Sequence, residues 1–193
     1  MPTESHSRIA ELPEGFVYAA NFLSSDEENE LIAAFDRLTF QPFEFHGYTA
    51  KREIIEYGFH YDFEGRSTSE AAPVPAYLLP ARAKAGAFAE VPAEDLVEAI
   101  ITRYPPGAPI GWHRDVPQFE IVIGISLASS CRMRLKPLRE NGNITSVILE
   151  PGSIYVMRGP ARWNYQHSIP AVEQLRYSVT FRSLRAKRQS KAG

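Results

Sequence analysis

After Pro92 the chain breaks into short β-rich runs, VEAIITRY, FEIVIGIS, CRMRLKP, ITSVILE, SIYVMRG and RYSVTFRS, and this pattern does most to narrow its fold. Turn residues separate the runs: Pro105-Pro106-Gly107, Asn141-Gly142-Asn143, Pro151-Gly152 and Gly159-Pro160. Short strands at regular spacing with such punctuation indicate a sandwich, jelly roll or barrel. MRLKPLRENGNITSVILE reads as a hairpin across Asn141-Gly142. Upstream, SSDEENELIAAFDRL reads as a helix, with Ser24 or Ser25 as N-cap, acids in the first turn, and Leu31, Ile32, Phe35 and Leu38 on one face. YLLPARAKAGAFAEV is a second helix beginning near Pro80, REIIEYGFHYDF is a strand, and residues 63–75 are expected as a polar loop. The expectation is an α+β, mostly β chain: one domain over 1–193, a double-stranded β-helix (jelly roll) core at about 95–185, and an N-terminal layer of helices and strand packed on it.

Composition closes several alternatives. One cysteine among 193 residues excludes an intrachain disulfide and a thiolate metal cluster. There is no apolar run of 18 residues, so no membrane-spanning helix is expected, and the first fifteen residues lack signal-peptide character. The expectation is a soluble cytoplasmic protein, monomeric and without a membrane partner. Net charge is −2, so no global polycation awaits nucleic acid. Arg182, Arg185, Lys187, Arg188 and Lys191 do crowd the last twelve residues, and 184–193 is expected as a flexible basic tail.

Any metal must then be held by histidine and carboxylate. GWHRDVPQFEIVIGIS places His113 and Asp115 at i and i+2, on one side of an extended segment, with Arg114 pointing the other way. His167 follows 54 residues later, between two strand-like runs, a separation that lets a jelly roll return it beside His113. The three would form a two-histidine, one-carboxylate triad with open positions, suited to Fe(II); zinc accepts the same donors. Alone, each piece reads equally as a polar turn or a hydrogen-bonded histidine.

RYSVTFR supplies an independent feature. Arg176 and Arg182 are six apart on a strand and share a face, while Tyr177, Val179 and Phe181 take the other. Inward arginines are costly unless they meet anions, and a small dicarboxylate is one such anion. The alternatives are pairing with internal acids such as Glu120 or Glu150, or a solvent-facing polar parity.

ITRYPPGAPIGWHRD, LEPGSIYVMRGPARWNYQHSI and LRYSVTFR, in that order, resemble the AlkB-type Fe(II)/2-oxoglutarate dioxygenases over roughly Ile100–Arg182. The resemblance implies that His113, Asp115 and His167 hold Fe(II). It implies that Arg176, helped by Tyr104, binds the distal carboxylate of 2-oxoglutarate, and that Arg182 lies near its C1 carboxylate. Thr102 and Ser178 stand where such proteins often carry asparagine, which keeps the hydrogen bonding and shortens the reach. It further implies O2 as co-substrate, conversion of 2-oxoglutarate to succinate and CO2, and hydroxylation of a substrate C–H. On an N-methyl group that chemistry releases formaldehyde.

By the same resemblance, FHGYTAKREIIEYGFHYDF corresponds to a nucleotide-recognition lid. Tyr48 would stack on a flipped base, Lys51 and Arg52 would meet phosphate, and Trp112 would line the substrate mouth or pack under the lid. The competing reading is that Tyr48, Tyr57, Phe59 and Tyr61 pack a sheet. Pro117 stands where repair members commonly carry a base-reading acid. Three functions follow: a demethylase of alkylated single-stranded DNA or RNA, the same chemistry on a protein side chain or small metabolite, and a catalytically silent binding module. Cys131 reads as core, Arg132, Arg134 and Lys136 as a basic solvent face that could also track nucleic acid, and Arg158 and Arg162 as pocket rim or surface charge.

Overall fold

The computed structural model describes residues 12–45, 48–62, 67–70, 72–139 and 142–186. In chain order the elements are β1 (Phe16–Ala19), α1 (Ser25–Phe35), β2 (Gln41–Phe45), β3 (Tyr48–Asp62), β4 (Ser67–Glu70), α2 (Leu79–Ala89), β5 (Leu96–Tyr104), β6 (Ile110–His113), β7 (Phe119–Leu127), β8 (Cys131–Pro137), β9 (Thr145–Leu149), β10 (Ser153–Met157), α3 (Gly159–Trp163), β11 (Tyr165–Ile169) and β12 (Arg176–Leu184). The larger sheet runs β1-β10-β7-β12-β5-β3-β2, and β4 pairs with β3; the smaller runs β6-β11-β8-β9. All pairings are antiparallel. This is the jelly-roll arrangement expected from the strand and turn pattern.

The two faces of the larger sheet are buried differently. One carries α1 and α2 over a core that includes Phe35, Leu78, Ile101, Ile125, Val179 and Phe181. The other faces the smaller sheet across Tyr104, Val122, Met133, Leu135 and Met157. On β12 the alternation is complete: Tyr177, Val179 and Phe181 belong to the helix-side core, and Arg176, Ser178, Thr180 and Arg182 line a cavity between the sheets. Period two along a strand covered on both faces turns the polar parity into the cavity rather than to the outer surface.

Local chemistry explains the helices. Ser24 caps α1, with Glu27 closing a reciprocal capping box and Asp26, Glu27 and Glu28 in the first turn. Pro80 sits in the first turn of α2, where its missing N–H is harmless. The small Ala81, Ala85 and Ala89 are buried from α2. Phe35 meets Tyr177 edge-on at 5.6 Å, and the Tyr177 hydroxyl donates to Asp36 Oδ1 at 2.8 Å, fastening α1 to β12.

Some sequence expectations need correction. Residues 63–75 are not wholly loop, because Ser67–Glu70 forms β4 against the end of β3. Gly58, at φ +82, is where β3 leaves β5 and takes β4, and a Cβ there would strike the Val97 carbonyl. The N-terminal strands are not a separate layer but extend the larger sheet: β1 at one edge, β3 and β2 at the other. The β8–β9 hairpin forms, but residues 138–144 join its strands rather than a two-residue turn; Asn141 lies outside the described residues. Most of the basic tail, 187–193, also lies outside them. No helix among the described residues is long and apolar enough to cross a membrane.

Lys84 of α2 reaches Glu27 of α1 at 2.8 and 2.9 Å and the Phe22 carbonyl at 3.2 Å. The hydrogen bond from Lys84, then that from the Ser24 backbone, lowers the Glu27 carboxyl from 4.5 to about 2. A depressed folded-state pKa contributes stability above the unfolded value and loses it as pH falls through the folded one. Glu27→Gln should therefore lower the urea midpoint at pH 7. The gap to the parent should shrink from pH 4.5 towards pH 2, as equilibrium unfolding at stepped pH would show.

Candidate active site

β6 and β11 lie side by side with His113 directly opposite His167, and their rings are 4.2 Å apart between centroids. Asp115 follows two residues beyond the end of β6. The three side chains bring one ligand atom each within 4.8 Å of one another. His113 Nδ1 lies 2.9 Å from the Gly111 carbonyl, so a proton there donates and leaves Nε2 as a lone pair. His167 Nε2 lies 3.6 Å from Asp115 Oδ2, which is buried and accepts no hydrogen bond.

Electrostatics set the protonation of this cluster. Burial, then the neighbouring His113 ring, pushes the His167 imidazole down to about 3. Burial also lowers His113, against the opposing pull of Asp115. Burial alone would raise the Asp115 carboxyl; the Arg182 guanidinium and the two imidazoles outweigh it and hold it well below the usual range. At neutral pH the donors are two neutral imidazoles and a carboxylate, with one orphaned oxygen aimed between them. That donor set fits iron(II), and it leaves positions open for further ligands. It meets the rule that a buried polar atom without a partner calls for an explanation.

The opposite wall comes from the β5–β12 ladder. Its cavity-facing pairs are Arg176↔Tyr104, Ser178↔Thr102, Thr180↔Ile100 and Arg182↔Glu98. Together with the triad they line a cavity of about 360 Å³. Arg182 donates to Glu98 at 2.8 Å and to Asp115 Oδ1. The sequence alternative of internal acid partners thus holds for Arg182, with different acids: Glu120 instead meets Arg185 at 3.4 Å and Trp163 Nε1 at 3.1 Å. Arg176 is 1% exposed and has no carboxylate partner among the described residues. Its Nε donates to Ser126 Oγ at 3.1 Å, its guanidinium stacks 4.7 Å over the Tyr104 ring, and its Nη1 makes no hydrogen bond. Tyr104 Oη and Ser178 Oγ lie 3.4 Å apart beside it, and Thr102 completes the lining.

The outer residues divide. Trp112 and Arg52 line the cavity, the latter stacked 4.0 Å over the Phe43 ring. Lys51 is exposed and outside the lining, and the Tyr48 side chain lies outside the described residues. Tyr57 packs towards the helices, its hydroxyl 3.2 Å from that of Tyr77. Arg134 departs from the solvent face expected of it: it donates to Ser168 at 3.0 Å and lies 4.9 Å over Trp112. Arg158 is not at the rim but donates to the Ala89 carbonyl at the end of α2.

Arg162, expected at the rim or surface, is 2% exposed. Its Nη2 donates to the carbonyls of Val116 at 2.7 Å and Phe119 at 3.0 Å, with that of Asp115 at 3.2 Å. It holds the loop that carries Asp115. The sequence reading also missed Glu98, Tyr155 and Phe43. The parity of VEAIITRY carried the signal for Glu98, an acid on the face of Thr102 and Tyr104; chain order alone gave none for Arg162.

A profile of the 2OG-Fe(II) oxygenase superfamily matches residues 15–188. The chain is 28% identical over 165 residues to the mouse protein named alpha-ketoglutarate-dependent dioxygenase alkB homolog 7, mitochondrial, covering 83% of this chain and 70% of that one. The bovine protein of the same name is 35% identical over 46% of this chain and 40% of its own length. Alpha-ketoglutarate-dependent dioxygenase AlkB of Salmonella typhimurium is 30% identical over 46% of this chain and 45% of its own length. The bovine and Salmonella matches thus span less than half of those relatives. The solved structure of OsALKBH1 superposes with a TM-score of 0.67 at 18% identity, over 90% of this chain and 98% of that one, a likeness of fold.

Replacing Arg162 by leucine strips the donor from these loop carbonyls. Arg162→Leu should weaken iron(II) or cobalt(II) binding by about 10- to 100-fold, the usual scale for groups that orient a metal ligand. It should also cost about 2–4 kcal/mol of stability through unpaired buried carbonyls. Metal titration and urea unfolding read the two effects separately.

Proposed function

We propose, from the premise that this chain belongs to the 2OG-Fe(II) oxygenase superfamily and is of the AlkB type, that it is an iron(II)- and 2-oxoglutarate-dependent dioxygenase removing N-alkyl groups from bases of single-stranded DNA or RNA. One observation carries the co-substrate: Arg176 is buried, has no carboxylate partner among the described residues, and faces the cavity that the His113, Asp115 and His167 triad lines. A buried guanidinium without an anion is costly, and a carboxylate entering the cavity relieves it. When bound, iron(II) and 2-oxoglutarate supply the activation of O2, giving succinate and CO2 and hydroxylating a substrate C–H.

The chain's own residues do the rest. His113, Asp115 and His167 offer three donors already in the required protonation states. Arg176 takes the distal carboxylate, with the Tyr104 and Ser178 hydroxyls beside it and Thr102 on the same wall. Arg182 holds one oxygen of Asp115, so that the other keeps its direction, and it would be the arginine near the C1 carboxylate when 2-oxoglutarate is bound. Ile100, Val122, Met133 and Ile169 line the remaining wall and keep water from the reacting C–H. An N-methyl carbon hydroxylated there leaves as formaldehyde, and the nitrogen regains its proton.

The base-reading part rests on the cavity mouth. Phe43 and Trp112 offer aromatic surface, and Arg52 and Arg114 offer cations. That combination suits a flat heterocycle attached to a phosphate backbone. The same chemistry on a protein side chain or small metabolite is favoured by a different observation: Pro117, not an acid, stands two residues after Asp115, and apolar Val116 is the residue between them in the cavity lining. Formaldehyde and succinate release across methylated oligonucleotides, peptides and metabolites separates the two; no response to 1-methyladenine or 3-methylcytosine strands defeats the first.

Anaerobic addition of Fe(II) and 2-oxoglutarate should give a visible absorption band that disappears in His113→Ala and Asp115→Ala. Arg176→Met should weaken 2-oxoglutarate binding by at least about 30-fold, the loss of a charge-assisted pair worth about 2 kcal/mol. Because it removes an unpaired buried charge, Arg176→Met should leave the thermal midpoint of the ligand-free protein unchanged or raised. A fall in that midpoint by several degrees would contradict the account of Arg176.

A further inference from the structure

The outer face of the smaller sheet carries charge that the cavity chemistry does not use. β8 alternates, with Cys131, Met133 and Leu135 buried inwards and Arg132, Arg134 and Lys136 on the opposite face. The ladder puts neutral residues beside them: Ser146 and Ile148 on β9, Gln166 and Ser168 on β11. No acid occupies a ladder position of this face, and none of these three cations has a carboxylate partner among the described residues. Arg132 and Arg134 are fixed rather than loose, donating to Ser146 at 3.1 Å and Ser168 at 3.0 Å. Arg134 reaches on across β11 to lie 4.9 Å over Trp112 of β6. Exposed Arg114 follows, and Trp112 and Arg114 both line the cavity. The result is a continuous row, Arg132, Arg134 and Lys136 about 7 Å apart along β8, then Trp112 and Arg114 at the opening.

The geometry points to this face as a docking track for single-stranded nucleic acid, whose phosphates meet Arg132, Arg134, Lys136 and Arg114 and whose target base turns in past Trp112; it rests on the nucleic-acid reading given above. A chain of net charge −2 that sets four cations in one row, with no acid at the described ladder positions and with Glu150 and Glu173 in the groove beyond Arg132, has a local field suited to a polyanion. The hydroxyls of Ser146 and Ser168 hold guanidiniums in place before a ligand arrives, which lowers the ordering cost of binding. Trp112 adds the aromatic surface on which single-strand binders stack bases, and the row reaches the cavity.

The test measures binding apart from turnover. Fluorescence anisotropy with a labelled, unmodified 12-nucleotide oligothymidylate should show affinity falling with salt at a log–log slope of about −2 to −3, as expected for three to four phosphate contacts. Arg132→Glu with Lys136→Glu, both away from the cavity lining, should weaken that binding about 10- to 100-fold at about 50 mM salt. The iron(II)–2-oxoglutarate absorption band should be unchanged, which verifies that the variant is folded. Equal affinity of parent and variant, or no binding by the parent at low salt, overturns the track. So does salt-sensitive binding to phosphatidylserine vesicles with indifference to oligonucleotide. If the parent demethylates oligonucleotides but the variant does so with the same KM, the track fails while the demethylase reading stands. If strand binding is lost in the variant but no methylated strand is turned over, the track stands and the demethylase reading fails.

Discussion

Arg182 joins the two sheets at the point where the metal donors converge. Its guanidinium is shared between Glu98, its cross-strand neighbour on β5, and Asp115, which follows the edge strand β6 of the smaller sheet. Taking one such ion out of water costs several kcal/mol, and the three become tolerable only as a set. Burial by itself would neutralise Glu98, and Arg182 opposes it. The consequence for the site is orientation. One oxygen of Asp115 is committed to a group anchored in the β5–β12 ladder, so the other can point only towards the histidines. Removing any member leaves a buried uncompensated charge, so the triad's geometry inherits the rigidity of the larger sheet.

The same strand builds the opposite situation six residues earlier. Arg176 and Arg182 share a face of β12, yet one is saturated with carboxylates and the other has none among the described residues. The difference lies across the ladder. Arg182 faces Glu98, and Arg176 faces Tyr104, which supplies an aromatic ring and a hydroxyl but no charge. A single antiparallel pairing therefore sets both a carboxylate-paired arginine and a buried one that faces the cavity. A shift of register by one residue would exchange both for the apolar helix-side parity. Specificity for a dicarboxylate is thus a property of the register of β5 and β12 as much as of the arginines themselves.

Much of this could be read from the chain because it depends on local period. The six downstream runs became strands, the capped acidic segment became α1, and the parity of RYSVTFR put both arginines on one side because strand geometry leaves no other choice. That His113, Asp115 and His167 would cluster was legible since the turn pattern implied a fold that brings distant strands together. What escaped depends on tertiary contact. β1, β4, β6 and β11 are only four or five residues long and are stabilised by neighbours rather than by propensity. Arg162 carries no local mark, as its role comes from carbonyls more than forty residues away. Arg134 looked like a solvent cation by alternation, and only the position of Trp112 on β6 makes it part of the cavity's surroundings.

β6 shows how recognition and chemistry are held to one register. Trp112, His113 and Arg114 are consecutive, and period two sends His113 inwards to face His167 while Trp112 and Arg114 form the rim. β6 is a short edge strand, the kind most prone to slip. Three independent attachments prevent it: the ladder to β11, the grip of Arg162 on the following loop, and the tie from Asp115 to Arg182. A slip that turned His113 away from His167 would also carry Trp112 and Arg114 off the rim. The constraints that protect the triad therefore also fix the rim on which the substrate must arrive.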